Sequence, residues 1–268
     1  MGEAVSQLEQ DFWKNKIRTT AAERTWSRLK AETDRLPQAA TLTMDLLVGV
    51  GDQQEPGTRT RQEALKVFKR LAVLVGVDST DRLDAIKTPY EPGFRDVPSD
   101  EQVLALLRAM PRDHKYTWMT RALVVYGCRP SEIFSLRPQD GGTAEVLTIK
   151  RKGKLPTWRT ALALPIAGMP ALTSRSVVWE MGSPAEHDSL AASRLVKSWG
   201  KWLNNKWSKE VMPDVDLYDL RHAWALRSVR KNLNASLVAK TMSNSLDVHH
   251  RTYHRLLEAA DVAGMLRA

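Results

Sequence analysis

The sequence predicts a mainly α-helical protein with two domains, an N-terminal small helical bundle and a C-terminal α-rich domain that includes a small antiparallel β-hairpin or sheet. Apolar residues recur at helical spacing along most of the 268 residues, which indicates amphipathic helices. Three prolines and a glycine fall within residues 88–98, which indicates a linker. Two strand-like segments flank a basic turn. These observations place the domains at residues 1–87 and 99–268.

The first domain is predicted to contain five helices: Ala4 to Lys16, Thr20 to Leu36, Thr41 to Val50, Arg59 to Val75 and Ser79 to Ile86. The fourth has the strongest pattern, because Leu65 and Phe68 share an apolar face. Its basic residues Arg59, Arg61 and Lys66 lie elsewhere on the helix. A solvated surface and a surface that contacts phosphate groups both explain such residues.

The second domain is predicted to contain helices at Asp100 to Met110, Trp118 to Tyr126, Ser131 to Leu136, Asp188 to Trp207, Leu217 to Lys231, Asn234 to Met242 and Leu246 to Arg255. The strand-like segments are Val146 to Ile149 and Thr160 to Leu164. The turn between them carries four cations, Lys150, Arg151, Lys152 and Lys154. Because these cations repel one another, a bound phosphate backbone would stabilise the turn. A merely solvated basic turn is the alternative.

The chain is basic, with a formal net charge of +9 and an isoelectric point of about 9.7. This balance favours a polyanionic partner, either nucleic acid or an anionic membrane. No apolar run approaches the ~18 residues of a membrane span, so nucleic acid is the better partner. The single cysteine, Cys128, excludes an internal disulfide and fits the reducing cytoplasm, where we expect the protein. We interpret Cys128 as a small buried residue.

Arginines and a tyrosine occupy positions suited to phosphate chemistry. Arg129 follows Gly127 at a break between two helical patterns. Arg221 lies near the start of a later helix, and Tyr253 lies in a helix beyond it. Two guanidinium groups can hold phosphate oxygens as planar two-point donors, and a tyrosine oxygen is a nucleophile. The combination indicates attack on a phosphodiester.

The order and spacing of these motifs resemble the catalytic domain of tyrosine recombinases, the phage-integrase family. Arg129 and Glu132 match the family's Gly-x-Arg-x-x-Glu motif. The string Tyr-Asp-Leu-Arg-His matches the family's His-x-x-Arg-His, with Tyr218 in place of the first His. Asn244 stands where the family has the His of a Gly-His pair. Tyr253 lies nine residues later, at the position of the family's nucleophile.

The resemblance implies a site-specific recombinase that cleaves and rejoins double-stranded DNA. In such an enzyme Tyr253 attacks phosphorus and forms a 3′-phosphotyrosyl bond, while Arg129 and Arg221 neutralise the phosphate. Lys152 on the hairpin turn is the general acid, with Lys154 as the alternative. No cofactor and no metal ion are implied.

The resemblance covers roughly residues 98–268, and residues 1–87 take the place of the family's helical core-DNA-binding domain. The residues expected to contact DNA are Lys150, Arg151, Lys154, Lys197, Lys201, Arg59, Arg61 and Lys66. The resemblance also implies a homotetramer on DNA, in which the tail Leu256 to Ala268 docks on a neighbouring subunit. No membrane partner is expected.

Two departures from the family affect the site. Asn244 is an amide that still donates a hydrogen bond, but Tyr218 is a phenol with a pKa near ~10 and is a poor base at neutral pH. His222 lies about 100° round the helix from the neighbouring arginine, so we do not expect it to substitute. His249 or His250 is the alternative proton acceptor.

Two other functional classes remain open. A catalytically weak or silent protein of the same fold would bind specific DNA sites without cleaving them. A type IB topoisomerase would use the same arginine, lysine and tyrosine chemistry, and would relax supercoiled DNA without site preference.

Overall fold

The computed structural model describes residues 1–77, 79–90, 96–148, 155–170, 172, 189–205, 212, 215–253 and 257. The chain divides into two compact units, Met1–Phe94 and Arg95–Ala268. The division falls inside the stretch predicted to be a linker, residues 88–98.

The N-terminal unit is a helical bundle built around its fourth helix. Its helices are α1 (Gly2–Trp13), α2 (Thr20–Thr33), α3 (Met44–Asp52), α4 (Arg59–Leu74) and α5 (Asp81–Ala85). Threonines 19, 43 and 58 cap α2, α3 and α4, because each hydroxyl accepts a hydrogen bond from the first turn of the helix that follows. Helix α4 contacts α1, α2 and α3. Its residues Phe68 and Leu71 are fully buried against Leu8, Leu47 and Leu83.

The C-terminal unit is α-rich with one small sheet. Its elements are α6 (Asp100–Ala109), α7 (Lys115–Tyr126), a 3-10 helix (Pro130–Ser135), β1 (Arg137–Gln139), β2 (Thr143–Thr148), β3 (Thr157–Leu162), α8 (Ser189–Leu203), α9 (Leu217–Arg230), α10 (Ala235–Thr241) and α11 (Leu246–Tyr253). The strands form an antiparallel sheet in the order β1-β2-β3, in which Val146 pairs with Arg159. The predicted fold class, mainly α with a small antiparallel sheet, is confirmed.

Three details differ from the predictions. The segment predicted as an α-helix at residues 131–136 is a 3-10 helix, with Pro130 at its start. The returning strand begins three residues earlier than predicted and runs from Thr157 to Leu162. Strand β1 was not predicted, because its three residues are too few to produce an alternating pattern.

The core of the C-terminal unit lies around α7, which packs on α6, α8, α9 and the 3-10 helix. Trp199 and Trp224 are fully buried there, and both indole N–H groups find acceptors. Trp199 donates to the Thr120 hydroxyl at 3.0 Å, and Trp224 donates to the Val125 carbonyl at 2.8 Å. These bonds fix α8 and α9 against α7. Within the described residues, no helix has the length and apolarity needed to cross a membrane.

Candidate active site

The corner after α7 depends on Gly127. Its φ of 58° lies in the left-handed region, and its N–H donates to the Leu123 carbonyl at 2.9 Å, which ends the helix. A Cβ on this residue would lie 2.4 Å from an atom of the Trp224 ring, so no larger residue fits. The Gly127 carbonyl accepts a hydrogen bond from Nη1 of Arg221 at 2.9 Å. One glycine therefore both turns the chain toward Arg129 and holds the second arginine.

Arg129 follows this corner and is clamped by Glu132. Its Nη1 donates to Oε1 of Glu132 at 2.8 Å, and its backbone N–H donates to Oε2 at 2.9 Å. Its Nη2 donates to the Ser243 carbonyl at 2.8 Å. Burial opposes ionisation of Glu132, but the guanidinium groups of Arg159, Arg129 and Arg221 together hold the pKa of this carboxyl below its usual range. Glu132 is therefore ionised at neutral pH.

Arg221 is buried near the start of α9, and only 3% of its surface is exposed. Besides Gly127, its acceptors are the Met242 carbonyl at 2.8 Å and Oδ1 of Asn244 at 3.2 Å. Burial lowers the pKa of the guanidinium, and the nearby Tyr253 and Glu132 oppose that shift. A guanidinium stays charged under these conditions.

Tyr253 is the last residue of α11 that the structure describes, and 2% of its surface is exposed. Burial raises the pKa of its hydroxyl, while Arg221 and Asn244, which hydrogen-bond it, and the charge of Arg129 act in the opposite direction. The phenol thus lies beside both arginines and the amide that the sequence motifs selected. The structure brings four of the six predicted catalytic residues together.

The end of α10 joins these groups. Three consecutive backbone carbonyls, those of Thr241, Met242 and Ser243, each accept a hydrogen bond from a different arginine. The donors are Arg159, Arg221 and Arg129 in that order. Carbonyls at a helix C-terminus carry partial negative charge and attract cations. One turn of backbone therefore gathers three positive charges, of which Arg221 and Arg129 act on Tyr253.

Two histidine rings lie close to the phenol. The ring centroid of His249, which is fully buried, lies 5.0 Å from that of Tyr253. The ring centroid of His222 lies 5.5 Å from that of Tyr253, and the expectation that His222 does not substitute for the family's histidine stays a prediction. Tyr218 is 42% exposed, with its ring 6.5 Å from His222. His250 is exposed.

Several predicted residues fall outside the described part of the chain. These are Lys150, Arg151, Lys152 and Lys154 on the hairpin turn, and the tail Leu256 to Ala268 apart from Leu257. Lys197 and Lys201 are exposed on α8, and Arg59 and Lys66 are exposed on α4. Their proposed contact with DNA stays a prediction.

Arg61, which was predicted to contact DNA, is buried at the edge of the core. This side chain is 5% exposed, and its guanidinium donates to the carbonyls of Ile86 at 3.0 Å and Gln54 at 2.7 Å and to a carboxylate oxygen of Asp52 at 2.7 Å. With these partners it joins α4 to the ends of α3 and α5. Helical spacing alone does not separate a cation at the edge of the core from one in solvent.

Sequence reasoning also missed Arg159 on β3. Its guanidinium contacts Glu132 and Thr241, yet it belongs to no motif. The one available signal was a cation on the same strand face as Ala161, which is fully buried. Cys128 is buried as predicted, and burial raises the pKa of its thiol to about 11. No set of three or more His, Cys, Asp or Glu suited to a metal ion occurs among the described residues.

Comparison with known proteins agrees with this architecture. The family model described as the XisA/XisC excisase second domain matches residues 2–102. Excisase A of Nostoc sp. (strain PCC 7120 / SAG 25.82 / UTEX 2576) is 24% identical over 95% of this chain. The chain spans 58% of the length of that relative.

Solved structures share the fold at low sequence identity. A Tn1549 transposon integrase in complex with a circular intermediate DNA has a TM-score of 0.60 and 12% identity, over 99% of each chain. A lambda integrase dimer bound to a COC' core site has a TM-score of 0.60 and 14% identity, over 94% of this chain and 76% of that chain. A lambda integrase tetramer bound to a Holliday junction has a TM-score of 0.58 and 13% identity, over 91% and 77%. The resemblance found in the sequence motifs is therefore confirmed at the level of the fold, and this chain has the fold of the tyrosine recombinases.

Proposed function

We propose that this protein cleaves and rejoins DNA strands at specific sites through a covalent bond between Tyr253 and the DNA 3′-phosphate. The observation that carries the proposal is the gathering of Tyr253, Arg129, Arg221 and Asn244 around the end of α10. A buried phenol beside two guanidinium groups is suited to attack on a phosphodiester. A purely structural tyrosine does not need such neighbours.

In the proposed reaction the Tyr253 oxygen attacks phosphorus and its proton passes to a neighbouring base, for which His249 or His250 is the candidate, while the bond between phosphorus and the 5′-oxygen breaks. Arg129 and Arg221 stabilise the charge on the non-bridging oxygens as it grows in the transition state. Lys152 donates a proton to the departing 5′-oxygen. A 5′-hydroxyl from a second strand then attacks the phosphorus of the phosphotyrosyl group. The bond between phosphorus and the Tyr253 oxygen breaks, and Tyr253 is released. The arginines and the lysine supply the electrostatic stabilisation, so the proposed reaction uses neither a metal ion nor a cofactor.

We assign DNA binding to both units and assembly to a homotetramer on DNA. The net charge of +9 favours a polyanionic partner. The lambda integrase neighbours are bound to DNA as a dimer and as a tetramer. The N-terminal unit, residues 1–87 in the sequence prediction, takes the role of a core-DNA-binding domain. The two excisase matches favour excision of a DNA element as the direction of the exchange.

The test is covalent capture on a suicide substrate, a nicked DNA whose cleaved end diffuses away. The wild-type protein should give an adduct that survives a denaturing gel, and Tyr253→Phe should give none while it keeps its affinity for DNA. Tyr126→Phe is the control, because Tyr126 is also a buried tyrosine but lies outside the site and donates to the Thr143 carbonyl at 3.4 Å.

The other outcomes identify the alternatives. DNA binding without any adduct from the wild-type protein would point to a silent DNA-binding protein. Relaxation of supercoiled plasmid without site preference would point to a type IB topoisomerase. An adduct that persists in Tyr253→Phe would exclude Tyr253 as the nucleophile.

A further inference from the structure

We infer that Arg159 is a positioning residue for strand cleavage. It fixes Glu132, and Glu132 in turn holds Arg129. It also ties strand β3 to the turn that carries Asn244. The inference rests on the proposed function.

Arg159 binds three elements of the C-terminal unit at once. Its Nη2 donates to Oε2 of Glu132 at 2.6 Å, and its Nε donates to the Thr148 hydroxyl at 2.9 Å. Its Nη1 donates to the Thr241 carbonyl. These acceptors lie on the 3-10 helix, on β2 and at the end of α10. The side chain is 13% exposed, so water replaces little of this network.

Glu132 is shared between two arginines. Arg159 occupies Oε2 on one side, while the backbone and side chain of Arg129 occupy Oε2 and Oε1. Among the residues that the structure describes, the charged or titratable groups that face this carboxylate are Arg159, Arg129, Arg221 and the Cys128 thiol. The thiol is neutral at pH 7, because burial raises its pKa to about 11. Removal of Arg159 therefore leaves Glu132 with fewer countercharges, and a more mobile Glu132 holds Arg129 less firmly.

Arg227 is a control with the same chemistry outside the site. It is buried and binds the Asp100 carboxylate with its Nε at 2.9 Å and the carbonyls of Val124 and Leu164 with its Nη1. A merely structural arginine should behave like Arg227 when it is replaced.

The experiment measures single-turnover cleavage against pH for four variants. Arg159→Gln should cleave about 10²-fold more slowly, because misplaced reacting groups reduce rates by that order. At low pH the cleavage rate should fall as Glu132 becomes protonated, which gives the pH profile an acid limb. In Arg159→Gln this limb should move to higher pH, because Glu132 protonates more readily once a countercharge is lost. Glu132→Gln should lack that limb. Arg159→Lys should keep the limb near its wild-type position and lose only part of the rate.

Arg227→Ala should lower the melting temperature without moving the acid limb. If Arg159→Gln does not fold, Arg159→Lys tests the tether, because a lysine cannot reach all three acceptors. A wild-type rate and an unmoved limb in both Arg159 variants would overturn the inference while leaving the proposed function intact.

A measurement without DNA separates the two claims. The carboxyl carbon signal of Glu132 in labelled, DNA-free protein should titrate at higher pH in Arg159→Gln than in the wild type. An unchanged midpoint would overturn the role of Arg159 even if the wild-type protein formed no DNA adduct. A missing adduct, by contrast, counts against the proposed function alone.

Discussion

Helix α9 carries two buried arginines, Arg221 near its start and Arg227 near its end, and their partners differ in charge. Each is 3% exposed, and each donates to backbone carbonyls of neighbouring segments. Arg227 also binds the carboxylate of Asp100 at 2.8 to 3.0 Å. Arg221 donates to the carbonyls of Gly127 and Met242 and to the Asn244 amide oxygen, and no carboxylate of the described residues hydrogen-bonds it.

This difference fits the proposed function, in which Arg227 holds the fold and Arg221 binds a phosphate. A buried charge without a direct counterion is unfavourable, and an anion that reaches it regains part of that energy. A DNA phosphate is such an anion. Arg129 lies between the two cases, since Glu132 neutralises one side of its guanidinium while 19% of its side chain remains exposed.

The largest predicted effect is the loss of cleavage rate when Arg221 is replaced, with the replacement of Arg227 as the comparison. Arg221→Ala should lower single-turnover cleavage by about 10²–10³-fold or more, the value of one donor to a developing oxyanion. Arg227→Ala should lose roughly 3 kcal/mol of stability, because it breaks a buried ion pair. Its cleavage rate should stay within a few-fold of wild type at a temperature where it is folded. Equal rate losses in the two variants would abolish the distinction. Thermal melts and rates on the same DNA provide both measurements.

A second prediction concerns the proton of the phenol beside Arg221. Burial raises the pKa of Tyr253, so the phenol is protonated at pH 7 and cleavage should rise with pH. His249→Gln should lower the rate at pH 7 by about 10²-fold and steepen this rise, because its buried ring faces Tyr253. His250→Gln is the control, since His250 is adjacent in sequence but exposed. A larger loss in His250→Gln, or an unchanged profile in both, would exclude His249 as the proton acceptor.

The third prediction concerns the backbone that holds Arg221. Gly127→Ala should destabilise the protein by about 3 kcal/mol, because it combines a left-handed φ with a clash against Trp224. Gly141 also has a left-handed φ, +80°, but no atom lies within 4 Å of an added Cβ. Gly141→Ala should therefore lower the free energy of unfolding by only about 1 kcal/mol. Chemical denaturation of the two variants measures the difference. Equal losses would show that the Trp224 contact contributes nothing.

Apolar spacing predicted the helices well, because this signal is local. Asp216 caps α9 and Asn234 caps α10, at the positions where the sequence places the starts of these helices. Arg129, Arg221 and Tyr253 were found through their motif, and their proximity depends on contacts between distant segments. Without the motif, nothing in the local sequence distinguishes Arg129 or Arg221 from an arginine on the surface.

Arg159 and Arg61 show where local signals fail. Both are cations whose burial depends on carbonyls and carboxylates supplied by other elements. A single sequence contains no record of those partners. The predicted start of the returning strand was wrong for a similar reason, because strand ends are set by pairing across the sheet and not by the strand's own residues.

The carbonyls at the end of α10 have a consequence for the order in which the protein is made. Residues 241–243 leave the ribosome after all three of their arginine partners, which lie 82, 21 and 114 residues earlier in the chain. Until that turn is synthesised, Arg129, Arg159 and Arg221 are positive charges without a shared anchor. A nascent chain can then attract nucleic acid only loosely, by charge. The three side chains are therefore brought together in a single late step, when this short stretch of backbone is added to the chain.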